Sequence, residues 1–178
     1  MPTAFLDRDG VINRKAPEGE YITRVQDFQF LPGAIAGLRK LKRHGWKLIV
    51  VTNQRGVALG RMSADDLAAI HAEMCGDLRS AGVSLDGIYT CPHDKDVCDC
   101  RKPQTGLFHQ ARRDWPEIDF ADSVVIGDSL SDMEAASHLG CRGIWIGHDA
   151  ACIDEAADAL FEQSRLSQTS GRESCQPA

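Results

Sequence analysis

Asp7 and Asp9 stand one residue apart at the end of a short apolar run, Ala4-Phe5-Leu6, and Gly10 follows them. Side chains alternate faces along an extended chain, so both carboxylates project from the same side where the strand ends. Carboxylates held that close repel each other unless a cation or a shared proton compensates. The pair therefore points to a divalent metal and to nucleophilic or acid/base work. A second constellation lies in the middle of the chain, where Cys91-Pro92-His93 and Cys98-Asp99-Cys100 crowd thiols and an imidazole into one short stretch. Cys91, His93, Cys98 and Cys100 are enough to close a tetrahedral zinc site. A disulfide between Cys98 and Cys100 would form a tightly strained ring, which disfavours a redox pair. A closed set of ligands leaves no position for water, so the zinc is expected to be structural. Its expected task is to pin a loop so that Arg101 and Lys102 point into the reaction site.

These groups need elements to hold them. Apolar, β-branched runs alternate with helical patterns, which predicts an α/β fold with a Rossmann-like, doubly wound parallel sheet of about five strands. The expected strands are Thr3 to Leu6, Lys47 to Val51, Gly87 to Thr90, Val124 to Ile126 and Gly143 to Ile146. Ile35, Leu38 and Leu41 fall at helical spacing before Gly45. Ser63 with Asp66 reads as a helix start, and Leu67, Ile70, Met74 and Leu78 form the apolar stripe of the helix it opens. Met133, Ala136 and Leu139 mark a shorter helix stopped by Gly140. In open sheets of this kind ligands bind beyond the carboxyl ends of the strands. The first strand delivers Asp7 and Asp9 there, the second Thr52-Asn53-Gln54, and the fourth Gly127-Asp128 with Asp132 further on.

The chain has 178 residues, 43% of them hydrophobic and 26% charged, as in an ordinary globular protein of one domain. That domain is expected over 1–163. From about Ser164 the composition turns to Ser, Gln, Thr, Gly and Arg, and 164–178 is expected to be a disordered tail. The net charge of −6 argues against nucleic acid or anionic membranes as partners while leaving room for a small anionic substrate. No apolar run approaches a membrane span and no secretion signal is evident, so a cytoplasmic location is the default expectation.

Taken together, Asp7-Arg8-Asp9-Gly10-Val11, Thr52, Lys102, and Gly127-Asp128 with Asp132 resemble the four motifs of the haloacid dehalogenase superfamily of phosphotransferases. The resemblance implies that Asp7 attacks phosphorus to form an aspartyl-phosphate and that Asp9 serves as the proton shuttle. It further implies catalytic Mg²⁺ held by Asp7, the backbone carbonyl of Asp9 and Asp128. Thr52 and Lys102 would stabilise the phosphoryl oxygens. Asp132 is read as a supporting residue behind these. Thr52 to Ala58, the cysteine cluster and Cys100-Arg101-Lys102-Pro103 are similar to the capless, zinc-loop phosphatases, so no cap domain is expected. The favoured substrate is a small phosphorylated sugar, D-glycero-D-manno-heptose 1,7-bisphosphate, losing its 7-phosphate in lipopolysaccharide or S-layer sugar synthesis. Histidinol phosphate, with Glu18, Glu20 or Asp94 meeting its amine, is the alternative, and 3′-phosphorylated DNA a more distant one. Asn13, Asn53, Gln54, Arg55 and Arg101 are the expected substrate contacts. Ser129 stands where β-anomer enzymes commonly have lysine, and Arg55 and Leu59 also depart from the heptose pattern. The resemblance also implies a monomer.

Overall fold

Residues 1–170 are described by this computed structural model, with side-chain surroundings for 1–162. The strands are β1 (Thr3–Leu6), β2 (Lys47–Asn53), β3 (Gly87–Cys91), β4 (Val124–Gly127) and β5 (Arg142–Trp145). The helices are α1 (Ala34–Arg43), α2 (Ala64–Ser80), α3 (Gly106–Asp114), α4 (Leu130–Leu139) and α5 (Ile153–Ser170), with a 3-10 turn at Val25–Asp27. All pairings are parallel and the spatial order is β3-β2-β1-β4-β5. The chain reverses its direction of travel across the sheet between β1 and β4, and a crevice opens at such a switch point.

The strands are buried on both faces and so read as unbroken apolar runs. Alternate side chains divide between two cores. Ala4, Leu6, Leu48, Val50, Val124 and Ile126 meet Leu38 and Leu41 of α1, Met74 and Leu78 of α2, and Ile153 and Leu160 of α5. Phe5, Ile49, Val51 and Val125 meet Leu107, Phe108 and Ala111 of α3 and Ala135 and Ala136 of α4. The result is a three-layer sandwich with no inserted cap domain among the described residues.

Every expected strand is present. β2, β3 and β4 run one or two residues longer at their carboxyl ends, and β5 sits one residue earlier. The capping box expected at Ser63 and Asp66 forms, with Ser63 Oγ accepting from the Asp66 N–H at 3.0 Å and Asp66 Oδ2 accepting from the Ser63 N–H at 2.8 Å. In α4 the fully buried residues are Asp132, Ala135 and Ala136; Ala136 belongs to the expected stripe, and its other members, Met133 and Leu139, are half-buried. Asp132 joins the inward side because it has buried partners described below. The expected domain boundary at 163/164 falls within α5, and residues 171–178 of the expected tail lie outside the described residues.

Candidate active site

Three carboxylates, Asp7, Asp128 and Asp132, bring ligand oxygens within 4.8 Å of one another at the carboxyl ends of β1 and β4. Two ammonium groups answer them. Lys102 Nζ, all but fully buried, lies 2.9 Å from Asp7 Oδ1 and 2.6 Å from Asp132 Oδ1, and donates to the Val51 carbonyl at 2.7 Å. Burial opposes the charge on Lys102, but Asp7 and Asp132 outweigh it and raise its pKa. Lys15, on the loop after β1, pairs with Asp128 Oδ2 at 2.8 Å. The other Asp128 oxygen, Oδ1, is buried without a hydrogen-bond partner. Burial pushes the Asp7 carboxyl up to about 6, held back by Lys102 and assisted by Asp132 and Asp9.

Glycine is required where these acids close on the backbone. A Cβ on Gly10 would overlap the Asp128 carboxylate, and Gly10 also has φ +87°. A Cβ on Gly127 would overlap Asp132. Asp132 ties α4 to the site: its Oδ2 accepts from the Ser129 hydroxyl at 2.6 Å and the Ser129 N–H at 3.2 Å, leaving Oδ1 for Lys102.

Asp9 is held from several sides. Arg8 Nη2 reaches both of its oxygens at 3.0 and 2.9 Å, Asn13 Nδ2 donates at 2.9 Å and Gln54 Nε2 at 2.7 Å. Burial alone would raise the pKa of Asp9, but the Arg8 charge and these donors lower it. Arg8 is itself fully buried, and its Nη1 lies 3.2 Å from His71 Nε2 on α2. Burial, and then the Arg8 charge, depress the His71 pKa to about 4, so the ring is neutral and accepts that bond.

The end of β2 is fastened to the segment that carries Lys102. Asn53 Nδ2 donates to the Lys102 carbonyl at 3.1 Å, and the Lys102 N–H returns a bond to Asn53 Oδ1 at 3.0 Å. The Gln54 N–H donates to the Cys91 carbonyl at 2.7 Å. Next to this clasp, Cys91 Sγ is 3.7 Å from His93 Nδ1 and 3.6 Å from Cys98 Sγ, while Cys100 Sγ is 3.2 Å from His93 Nδ1 and 3.3 Å from Cys98 Sγ. Tetrahedral ligands about 2.3 Å from a zinc ion would be about 3.7 Å apart, so this donor set has the right chemistry and nearly the right size for one.

Asp7, Asp9, Thr52, Asn53, Arg101, Lys102 and Asp128, all expected site residues, line one cavity of about 200 Å³ together with Lys15, Ser129 and Ser131. It adjoins a larger cleft of about 570 Å³ along Lys95, Asp96, Arg101 and Gln104, and a side cavity of about 120 Å³ beside Glu20 and Tyr21. Arg101 Nη1 is buried without a hydrogen-bond partner. Of the remaining expected substrate contacts, Gln54 lines the side cavity. Asn13 and Gln54 are buried, and their amide hydrogens go to Asp9 rather than into open space. Arg55 pairs with Asp94 at 2.5 Å, so one of the three acids suggested for an amine is already neutralised, while Glu20 lines the side cavity. Arg8, His71 and Lys15 were not singled out from the sequence. Arg8 falls on the face opposite Asp7 and Asp9, and nothing local marks where its long side chain turns. Lys15 carried one available signal, a cation in the loop that follows the Asp7 and Asp9 motif.

The chain is similar to known proteins in sequence and in shape. A HAD-hydrolase-like family model matches residues 99–166. The D-glycero-alpha-D-manno-heptose-1,7-bisphosphate 7-phosphatase of Mycobacterium bovis is 43% identical over 164 residues, covering 89% of this chain and 85% of the relative. The D-glycero-beta-D-manno-heptose-1,7-bisphosphate 7-phosphatase of Vibrio cholerae is 42% identical over 167 residues, covering 89% and 88%. In shape the chain matches a crystal structure of D,D-heptose 1,7-bisphosphate phosphatase from B. bronchiseptica complexed with magnesium and phosphate. The TM-score is 0.82 at 29% identity, covering 92% of this chain and 99% of that one. The chain belongs to the haloacid dehalogenase superfamily, as a phosphatase closely related to the D-glycero-D-manno-heptose-1,7-bisphosphate 7-phosphatases.

Proposed function

We propose that the protein removes the 7-phosphate of D-glycero-D-manno-heptose 1,7-bisphosphate, with Mg²⁺, through an aspartyl-phosphate on Asp7. The observation that carries this reading is the convergence of Asp7, Thr52, Lys102 and Asp128 on one small cavity whose wall includes Arg101. Relatives of both anomeric types, and a structure described with magnesium and phosphate, support it.

The residues fit a Mg²⁺ ion. Asp7 and Asp128 offer oxygens close together, and the buried, unpartnered Asp128 Oδ1 is an acceptor in need of a cation. Asp7, Asp128 and the Asp9 carbonyl would hold it, and when bound it supplies charge neutralisation for the phosphoryl oxygens. An Asp7 oxygen bonds to phosphorus as the bond to the sugar oxygen breaks. Asp9 gives the departing oxygen a proton, then takes one from the water that cleaves the acyl-phosphate. The Arg8 charge and the Asn13 and Gln54 donors hold the Asp9 carboxyl below its ordinary pKa. Lys102 and the Thr52 hydroxyl face the charge that develops on the phosphoryl group. Arg101, with a free guanidinium nitrogen, suits a phosphate oxygen of the substrate. Zn²⁺ is assigned to Cys91, His93, Cys98 and Cys100 as a structural ion.

Phosphate release with Mg²⁺ should be fastest on one anomer of heptose 1,7-bisphosphate among a panel with the other anomer, histidinol phosphate and a 3′-phosphorylated oligonucleotide. Faster turnover of histidinol phosphate than of either heptose would overturn the assignment. Asp7→Asn should lower kcat by about a thousandfold or more with the fold intact. Retained turnover would exclude the covalent route.

A further inference from the structure

Among the described residues, Lys15 is the one cation that lines both the reaction cavity and the side cavity. Its side chain is 59% exposed, yet its ammonium is drawn inward onto Asp128 at 2.8 Å. Asp128 closes against Gly10, so that acid is fixed while the lysine approaches it on a flexible stem from the opposite loop. A divalent cation taken up by Asp7 and Asp128 would place its charge against that same ammonium. The two cations would share one carboxylate, the metal on Oδ1 and the lysine on Oδ2, and their mutual repulsion acts on the lysine, whose stem is flexible.

We propose that Lys15 is a specificity-determining cation, resting on Asp128 in the metal-free protein and released by the metal to meet the second, non-reacting phosphate of the substrate. The inference rests on the bisphosphate reading above for its substrate half alone. Its location fits the task. Lys15 stands between the cavity where Asp7 acts and the side cavity bordered by Asp9, Glu20 and Tyr21. Without a cation here, the side cavity would present Glu20 to an anionic group. The lysine stem, freed from Asp128, keeps its charge at the same mouth.

Lys15→Met keeps the stem and removes the charge, and an exposed position makes misfolding a minor concern. Calorimetric titration with Mg²⁺ alone should show the variant binding about three- to fivefold tighter than the parent, the size expected for losing one partly exposed ion pair. The ratio of kcat/KM for heptose 1,7-bisphosphate over heptose 7-phosphate should fall about tenfold, and Lys15→Arg should restore most of it. Unchanged or weaker Mg²⁺ binding would overturn the exchange at Asp128. An unchanged ratio, in a parent enzyme that does turn over the bisphosphate, would overturn the substrate contact. Absence of bisphosphate turnover in the parent itself would instead count against the proposed substrate, and the magnesium titration would still decide the exchange at Asp128.

Discussion

Lys102 has a buried acceptor on each side: Asp7, Asp132 and the Val51 carbonyl surround its ammonium. Removing one partner of such a buried pair leaves an uncompensated charge, which typically costs about 3–5 kcal/mol. Asp132→Ala removes the carboxylate on Lys102 and the cap on Ser129 together. It is expected to lower Tm by several degrees and kcat by at least about tenfold, measured by calorimetry and phosphate release. Asp132→Asn keeps the cap acceptor and should recover stability more fully than turnover. Residue types and spacing made Asp7, Asp9, Thr52, Lys102 and Asp128 legible because each follows a hydrophobic strand or a marked motif. Asn13 and Gln54 were legible as members of the site, not in their direction. An amide beside a carboxylate serves the protein or the ligand depending on a rotation that sequence spacing does not specify. Here both turn to Asp9.

The stretch from Cys91 to Lys102 leaves β3 and must return a lysine to the centre of the sheet with no regular structure on the way. Its anchors are the Cys/His cluster at one end and the Asn53 clasp on Lys102 at the other. Cys98→Ser should reduce zinc from about one per chain to substoichiometric levels. It should also lower Tm by about 5–10 °C, and cut kcat more than it raises KM because Lys102 loses its fixed place. Metal analysis showing no zinc in the parent, purified without chelator, would defeat the assignment. Strand and helix positions were readable to within one or two residues where apolar runs and caps coincide, as at Ser63. The inward place of Asp132 on α4 was not, because a buried polar residue does not show in a hydrophobic stripe. The pairing of Arg55 with Asp94 was equally hidden, since the two come from different loops.

At the scale of the whole molecule, the acids at the switch point link folding to metal and to pH. The Asp7 carboxyl is pushed up to about 6, first by burial, from an ordinary value of 3.8. A raised acid pKa means that its contribution to stability is fully present below 3.8 and is lost as pH rises through about 6. Above that range the metal-free fold must hold an ionised, buried Asp7 beside Asp132 and Asp9, relieved by Lys102. A bound Mg²⁺ needs the ionised form and offsets the same repulsion, so protons and metal compete for one site. At about a hundred times its Kd, a ligand of the native state adds about 2.7 kcal/mol, which corresponds to about 5–10 °C for a domain of this size. Thermal scans should therefore show that stabilisation by Mg²⁺ at pH 7.5 and a much smaller one at pH 5, at the same metal concentration. Asp7→Asn, which cannot ionise there, should flatten the difference between the two pH values. An equal rise in Tm at both pH values in the parent would mean that Mg²⁺ binds without calling on the Asp7 carboxylate, and the metal site would then have to be drawn from Asp128 and the Asp9 carbonyl alone.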